Sequence, residues 1–198
     1  MKVRRIVLAS ASPRRQELLS NIGLKFEVIK SNFEETISDD GISPETLAQQ
    51  LAYGKAKDVA DNQNEGIILG ADTIVVFEDK IYGKPKDEQD AIKMLQSLSG
   101  KTHKVITGVA LIDKENEKTI IGHEVTKVTF NDLTDQEIQA YVKSGDCFGK
   151  AGGYGIQNRG AILINRIEGC YFNVVGLPIN KVYQMLKELG EYVYAYWN

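Results

Sequence analysis

The sequence predicts an α/β protein, because strand patterns and helix patterns alternate along its 198 residues. The strand Ile67–Val76 is almost continuously apolar, and the helical segments carry apolar residues at helical spacing between capping residues and glycines. The chain shows no internal repeat, low-complexity tract or linker. We therefore expect one domain with two lobes that share a core, rather than independent domains on a string.

The first half of the chain predicts three helices among short strands. Ser12 and Pro13 open a helix that runs to Ile22 and stops at Gly23. The second helix begins at Ser43-Pro44, and the third is capped by Asp87 and ends at Gly100. The predicted strands are Arg4–Ala9, Phe26–Ile29, Ile67–Val76 and Ile81-Tyr82.

The second half predicts a hairpin, a capped helix, a glycine-rich loop, two more strands and a final helix. Thr134 and Glu137 form a capping box for the first of these helices, which Gly145 closes. The final helix starts at Pro178 and ends near Gly190. The predicted strands are Lys104–Ile112 and Thr119–Phe130 in the hairpin, then Ala161–Ile167 and Tyr171–Val175.

Composition and charge limit the kinds of partner and the cellular compartment that we expect for this chain. A net charge of −3 argues against a broad basic face for bulk nucleic acid, so anion binding would need a local cluster of cations. Cys147 and Cys170 are too few for a disulfide framework, and we expect free thiols in a reducing compartment. The sequence has no signal-peptide core and no apolar run of membrane-spanning length. We expect a cytoplasmic protein that binds no membrane.

Arg14 and Arg15 lie in the first turn of the first predicted helix, at the positive end of its macrodipole, where acidic residues are favoured. The placement is locally unfavourable unless an anion binds there. Free backbone N–H groups, the hydroxyls of Ser10 and Ser12 and two guanidinium groups would then form a polyphosphate site. The alternative is that both arginines point into solvent, and this segment does not decide between the two.

Asp72 interrupts the apolar strand Ile67–Val76, although aspartate is depleted in strands. A buried carboxylate needs a cation, a metal ion or several hydrogen-bond donors. Because apolar residues flank it on both sides, a functional role is favoured over a structural Asp that caps a bulge beside Gly70.

Three further charged residues are less informative when taken singly. Lys84 lies on a loop that Pro85 fixes, and Lys55 lies on the polar stripe of the second helix. Each lysine would act on phosphate as a point charge, but the ordinary interpretation is a solvated surface lysine. Glu35 lies in an acidic loop.

The loop Gly149–Gln157 has four glycines in nine positions, a composition that lets the backbone approach a ligand closely. It fits neither a Walker A loop nor a dinucleotide-binding fingerprint. His103 is interpreted as a surface residue or a hydrogen-bonded residue at a strand entry, in preference to a catalytic one. Cys147 is interpreted as a packing residue rather than a nucleophile.

Together these residues indicate one chemistry. Cations and carboxylates lie on separate elements: Arg14, Arg15, Lys55 and Lys84, with Glu35 and Asp72. Cations hold a polyphosphate, while a carboxylate pair binds a hard divalent cation or orients water. Hydrolysis of a nucleotide requires this combination, because its transition state is stabilised mainly by positioning and charge.

Several blocks of sequence then occur in one order along the chain: Leu8–Arg15, Phe33–Glu35, Leu69–Thr73, Gly83–Pro85, Lys150–Gln157 and the structural block Val175–Pro178. In these blocks the chain resembles the Maf family of nucleotide pyrophosphatases, which is named for its association with septum formation. The resemblance covers nearly the whole chain.

The resemblance implies a single nucleotide pyrophosphatase domain over residues 1–198. It would have a mixed, elongated twisted sheet with flanking helices and two lobes around a cleft, similar to inosine triphosphate pyrophosphatases, and would often be a homodimer. The implied reaction converts a nucleoside triphosphate and water into the monophosphate and pyrophosphate, with Mg²⁺ or Mn²⁺.

The resemblance also implies roles for individual residues. Asp72 matches the family's proposed proton acceptor; the alternative for such cleft sites is that this aspartate instead holds the metal. Glu35 is the second carboxylate for metal and water. Lys84 completes the catalytic set. The implied substrate-binding residues are Ser10, Arg14, Arg15, Lys55, Thr73 and Gln157.

Arg14, Thr73 and Gln157 match the three positions that sort the family by base. A glutamine amide offers the donor and acceptor that complement uracil and thymine. The branch that prefers 7-methylguanine nucleotides has Trp, Gln and Glu there, which suit a cationic base. We therefore expect dTTP and UTP as substrates.

The chain departs from the family pattern at Gly149, Gly153 and Asn158, where relatives often have Asp, Ala and Gly, and these changes bear on the shape of the base pocket. Two alternatives stay open at this point. One is a nucleotide-binding regulator of cell division that does not turn its ligand over. The other is an enzyme for modified pyrimidine nucleotides.

Overall fold

The structure of the chain, a computed structural model, describes residues 3–34 and 41–197. Its strands and helices alternate, as the sequence predicts. The strands are β1 (Ile6–Leu8), β2 (Glu27–Val28), β3 (Ile67–Phe77), β4 (Lys80–Tyr82), β5 (Thr102–Asp113), β6 (Lys118–Phe130) and β7 (Ile164–Glu168). The α-helices are α1 (Pro13–Asn21), α2 (Pro44–Ala60), α3 (Glu88–Leu98), α4 (Asp135–Lys143), α5 (Tyr171–Val175) and α6 (Ile179–Glu188).

Within these ranges the seven strands form one mixed sheet in the order β2-β1-β3-β5-β6-β7, and β4 pairs with β3. Strand β1 runs parallel to both β2 and β3, whereas β4 is antiparallel to β3 and β7 is antiparallel to β6. The predicted mixed α/β fold with flanking helices is confirmed. None of the helices in the described part of the chain is long and apolar enough to cross a membrane.

The chain divides into two compact units. The first unit comprises Met1–Asp72, Thr107–Glu124 and Gly176–Asn198, and the second comprises Thr73–Ile106 and Val125–Val175. The division falls within β3, β5 and β6, so these three strands contribute residues to both units.

One cluster of the first unit's core is built largely from short side chains. Helix α2 contributes Ala52 and Ala56, which pack with Val7 of β1, Ile68 of β3 and Ala110 of β5. Short side chains allow close approach of helix and sheet, because the separation of packed elements depends on the side chains between them.

The core cluster of the second unit contains aromatic residues, which the first cluster has only at its margin in the partly buried Tyr53. Helix α3 presents Leu95 and Leu98 to this core, and Phe130, Tyr141 and Tyr154 join it from other elements. Cys147 also lies in this core, fully buried, and burial raises the pKa of its thiol. Its predicted role as a packing residue is confirmed, and both Cys147 and Cys170 are free thiols.

The helix ends follow the predicted capping signals. Helix α1 stops before Gly23, which has φ +70°, and the capping box of α4 forms between Thr134 and Glu137. Asp87 caps α3 by accepting a hydrogen bond from the Asp90 N–H at 2.8 Å. These signals are local, so tertiary context leaves them intact.

The prediction was wrong over the last two strands. Residues Asn158–Leu163 form a 3₁₀ helix, and β7 begins at Ile164. Tyr171–Val175 is helix α5 rather than a strand. The helical turn brings the buried Asn173 amide to the Val105 carbonyl oxygen and Thr126 Oγ1, at 3.0 Å each, so tertiary hydrogen bonds override the β propensity of this segment.

Candidate active site

Ser10 lies just beyond β1, is buried, and organises the start of helix α1. Its Oγ accepts hydrogen bonds from the Ser12 N–H and from Arg15 Nη1, each at 3.2 Å. Two accepted bonds occupy both lone pairs of a hydroxyl oxygen, so its own hydrogen is left to donate to an anion. Ser12 occupies the predicted N-cap position, but within the described residues its side chain makes no capping bond.

Arg15 is half-buried and held by two contacts in the first unit. Its Nε donates to the Gly176 carbonyl oxygen at 2.8 Å, and its Nη1 donates to Ser10. The solvent-facing alternative is therefore wrong for Arg15. Arg14 is also half-buried, and the first turn of α1, which is fully described, contains no acidic residue. Arg14 and Arg15 therefore place the expected positive charge at the N-terminus of α1.

Lys55 and Asp72 form an ion pair between helix α2 and strand β3. Their side chains are 12% and 10% exposed, so the contact is shielded from solvent. The cation that a buried Asp72 was expected to need is therefore Lys55. The interpretation of Lys55 as a solvated surface lysine is wrong, because its side chain is mostly buried and paired with Asp72.

Two glycines in the strands let α2 lie close enough to make this pair. A Cβ on Gly70 would lie 2.3 Å from the Ala52 carbonyl oxygen, and a Cβ on Gly108 would lie 2.0 Å from that of Ala48. Side chains two residues apart on a strand share a face, so Asp72 points the same way as Gly70, toward α2. Because Gly70 has no side chain, α2 packs close to β3 at this point, and this close packing allows Lys55 to reach Asp72.

The parallel register brings the two groups of polar residues to one level of the sheet. Leu8 pairs with Leu69, and the Ala9 N–H donates to the Leu69 carbonyl oxygen at 2.8 Å. Ser10 therefore leaves β1 where β3 continues toward Asp72. The carboxyl ends of parallel strands are where ligands bind in open α/β sheets.

Glu35 lies outside the described residues, but the chain before it is held on α2. Asp58 accepts hydrogen bonds from Ser31 Oγ and the Asn32 N–H, at 2.9 and 2.8 Å. The Phe33 ring lies over Gly54, where a Cβ would come within 2.4 Å of Phe33 Cζ. The predicted acidic block therefore begins against the helix that carries Lys55.

Lys84, Thr73 and Gln157 belong to the second unit. Lys84 is exposed, as its ordinary interpretation predicts, whereas Thr73 and Gln157 are half-buried. The carbonyl oxygen of Gly83 accepts a hydrogen bond from the Gly152 N–H at 2.9 Å. The loop that carries Lys84 is thus joined directly to the glycine-rich loop.

The glycine-rich loop uses its glycines for backbone geometry. Gly152 and Gly153 have φ near +70°, a region that favours glycine, and a Cβ on Gly152 would lie 3.1 Å from Val75. Asn158, one of the expected departures from the family pattern, also has positive φ, at 54°. Asparagine tolerates this conformation, so the departure preserves the turn.

His103 lies at the entry to β5, is 2% exposed, and its Nε2 lies 2.6 Å from the Tyr154 hydroxyl. Of the two interpretations from sequence, the hydrogen-bonded residue at a strand entry is correct.

The sequence did not reveal three hydrogen-bond partners. These are Tyr154, which contacts His103, the Tyr141 hydroxyl, which accepts from the Gly155 N–H, and the Gly176 carbonyl, which accepts from Arg15. Isolated glycines within strands, at 70 and 108, were the available signal for the close approach of α2.

The geometry thus brings Ser10 to Arg15 and Lys55 to Asp72 in the first unit, and joins the Lys84 loop to the Gln157 loop in the second. The class of protein is therefore an α/β protein whose described residues form one mixed sheet with flanking helices. The Ham1 protein of Staphylococcus aureus shares this fold, with a TM-score of 0.53 and 15% sequence identity, over 94% of this chain and 100% of that chain.

The sequence pattern of the Maf-like protein family matches residues 5–189, and the chain belongs to this family. A protein of Ruminiclostridium cellulolyticum is 55% identical over 189 residues, which cover 96% of this chain and 98% of that protein. Similar proteins from Acetivibrio thermocellus (50% identical, 94% and 96% covered) and Bacillus cereus strain AH820 (52% identical, 95% and 97% covered) share its name, dTTP/UTP pyrophosphatase.

Proposed function

We propose that this chain is a nucleoside triphosphate pyrophosphatase that hydrolyses dTTP and UTP to the monophosphate and pyrophosphate. The names of relatives that are at least half identical over nearly the whole length support the reaction and the substrates. The observation that carries the proposal is the buried Lys55–Asp72 pair at the sheet level where Ser10 and Arg15 open helix α1.

Recognition of the triphosphate would fall to cations and donors of several elements. Ser10 has a hydroxyl hydrogen to donate, and Arg15 is held in place by Gly176 before any ligand binds. Such fixed donors are worth more than mobile ones, because little reorganisation is needed when charge develops. Arg14, Lys55 and Lys84 would neutralise the remaining charge of the triphosphate and the departing pyrophosphate.

Asp72 offers carboxylate oxygens of the kind that Mg²⁺ and Mn²⁺ prefer. No group of three His, Cys, Asp or Glu that could hold a metal occurs in residues 3–34 and 41–197. In the proposal, one or two carboxylates, Asp72 with Glu35, and phosphate oxygens of the substrate would hold the cation. When bound, the cation would neutralise phosphate charge and lower the pKa of a coordinated water.

The chain's own residues would do the rest of the chemistry. Asp72 and Glu35 would orient the attacking water and accept its proton. Lys55 supplies the opposite charge that keeps Asp72 compatible with burial. Attack of the water oxygen at the α-phosphorus would break the bond to the β-phosphate and release pyrophosphate.

Base selection is assigned to Gln157, with Thr73 and Arg14. The Gln157 amide would donate to a pyrimidine carbonyl oxygen and accept from N3–H, which uracil and thymine both offer. A small nucleotide substrate also agrees with the net charge of −3. Cytoplasmic location and a homodimer remain predictions.

Pyrophosphate release from a panel of dTTP, UTP, dCTP, dATP and dGTP, with Mg²⁺ or Mn²⁺, tests the proposal. We expect kcat/KM for dTTP and UTP to exceed the others by about tenfold or more, since a wrong base leaves polar groups unpaired. Chelation of the metal should abolish release. Nucleotide binding in a thermal-shift assay without release from any triphosphate would contradict the proposal and favour a regulator.

A further inference from the structure

Tyr154 anchors the glycine-rich loop, residues 149–157, in the core of the second unit. Its side chain is 5% exposed, and its ring packs edge-on against Phe130 and His103, with centroids 4.7 and 5.3 Å apart. Its hydroxyl lies 2.6 Å from His103 Nε2. The loop is therefore fixed at this point both by packing and by a buried hydrogen bond.

His103 depends on Tyr154 for its polar contact. Its Nδ1 is buried and has no hydrogen-bond partner in the described part of the chain, so the Tyr154 hydroxyl is the one polar contact of this ring found there. Burial lowers the pKa of His103 to about 4, so the imidazole is neutral near pH 7. Loss of the hydroxyl would leave a buried imidazole without a partner, which proteins strongly avoid.

Further contacts hold the loop on either side of Gln157. The Gly155 N–H donates to the Tyr141 hydroxyl at 3.3 Å. The Gly155 carbonyl oxygen lies so close to Gly160 that a Cβ there would come within 1.9 Å of it. Gln157 therefore lies between Gly155 and Gly160, two glycines that approach each other closely, and three residues after the buried Tyr154.

We propose that Tyr154 and His103 are positioning residues for base selection, because their hydrogen bond sets the place from which Gln157 meets the pyrimidine. This inference rests on the proposed function, in which Gln157 contacts the base. Neither side chain touches the reacting phosphates in this proposal. Their loss should therefore change selectivity and KM more than kcat.

Tyr154→Phe removes the hydroxyl and keeps the ring, so it tests the bond with little change in packing. We expect the ratio of kcat/KM for UTP over CTP to fall about tenfold, mainly through KM, since small misplacements of a positioning group carry effects of this size or larger. Amide hydrogen exchange of residues 149–157 should become faster in the same variant.

Tyr196→Phe is the matched control. The Tyr196 hydroxyl is also buried and hydrogen-bonded, at 3.0 Å from the Arg4 carbonyl oxygen and 2.8 Å from Glu191 Oε2, but these partners belong to the first unit. This variant should lose stability as Tyr154→Phe does. It should keep the UTP/CTP ratio and the loop exchange of the wild type.

A pair of His103 variants separates the polar contact from the packing. The amide of His103→Gln can still bond the Tyr154 hydroxyl, whereas His103→Leu cannot. His103→Gln should therefore retain more of the UTP/CTP ratio and more loop protection. Equal losses in the two variants would contradict a role for the hydrogen bond.

The outcomes separate the inference from the proposed function. An active wild type whose Tyr154→Phe variant keeps both the ratio and the loop protection overturns the inference alone. A wild type that releases pyrophosphate from none of the triphosphates overturns the proposed function. In that case the loop exchange of Tyr154→Phe still decides whether the hydroxyl positions the loop, and unchanged exchange would reject it.

Discussion

The two units hold their candidate site residues by different means. In the first unit, charged side chains are fixed by other polar groups: Asp72 by Lys55, and Arg15 by Ser10 and the Gly176 carbonyl. In the second unit, Gln157 lies on a loop that neutral hydrogen bonds and aromatic packing hold in place. In the proposed function, Asp72, Lys55 and Arg15 of the first unit act on the phosphates with Lys84 of the second unit, and Gln157 of the second unit selects the base with Thr73 and with Arg14 of the first unit.

The physical consequences of damage should differ accordingly. Removing one member of a buried ion pair leaves the other charge uncompensated, and also removes charge from the reaction. Removing a neutral hydrogen bond beneath a loop changes position but no net charge. Turnover should therefore be sensitive to substitution of the Lys55–Asp72 pair, and selectivity to substitutions in and beneath the Gln157 loop.

Asp72→Asn should give the largest effect. The amide keeps the size of the side chain and can still accept a hydrogen bond from Lys55, but it lacks the charge that metal binding and proton transfer require. We expect kcat for dTTP to fall by about a thousandfold or more, as is common for central catalytic groups. Circular dichroism and thermal unfolding should show a folded protein.

Asp61→Asn is the control for this change. Asp61 also pairs with a lysine of α2, Lys57, at 2.7 Å, but both side chains are more than half exposed. Exposed pairs contribute little, so activity should stay within about twofold of the wild type. A near-normal kcat in Asp72→Asn would contradict a role for Asp72 in turnover, and with it the proposed function of the buried ion pair.

Gln157→Glu should give the next largest effect, on selectivity rather than turnover. A carboxylate cannot donate the hydrogen bond that the amide offers to a pyrimidine carbonyl oxygen. We expect kcat/KM for UTP and dTTP to fall by about ten- to a hundredfold relative to other triphosphates, the size expected when a buried polar group loses its partner. Competition kinetics with mixed triphosphates measures this ratio directly.

The same substitution at Gln50, an exposed residue of α2, adds the same charge away from the loop. Gln50→Glu should leave the preference unchanged. If both variants shift preference equally, the effect is one of net charge, and Gln157 does not select the base.

Local signals in the sequence were enough for much of the fold. The caps at Thr134 and Asp87 and the stop at Gly23 act within one helical turn, so the residues that form them are neighbours in the sequence. Tyr171–Val175 failed as a strand because Asn173 reaches Val105 and Thr126, and these partners are 68 and 47 residues away in sequence. Hydrogen bonds between residues so far apart in the sequence produce no periodic pattern of apolar and polar residues from which they could be predicted.

The candidate site was predictable in its charges but not in its pairings. Asp72 stood out because it interrupts an apolar strand, and its need for a partner followed from burial alone. Lys55 could not be chosen as that partner, because its position on a polar helix stripe is also that of a solvated lysine. The pairing depends on how closely α2 lies over Gly70, which is a property of the packed structure.

The pH dependence of stability gives the smallest effect and tests how the second unit is held. Burial lowers the pKa of His103 to about 4, whereas an unfolded histidine titrates near 6.5. Between these values the unfolded chain binds more protons than the folded one, so stability falls as the pH is lowered and levels off below about 4. From pH 7 to pH 5 the loss from this residue should be about 2 kcal/mol.

His103→Gln removes the titrating group and keeps a polar side chain at the entry to β5. Urea unfolding at pH 7, 6 and 5 should therefore show a smaller loss of unfolding free energy in this variant than in the wild type. An equal loss in both proteins would mean that His103 is protonated as readily in the folded protein as in the unfolded chain. That result would contradict a buried, neutral His103 as the partner of Tyr154, and with it the contrast between the ion-paired Asp72 and the neutral anchor of the Gln157 loop.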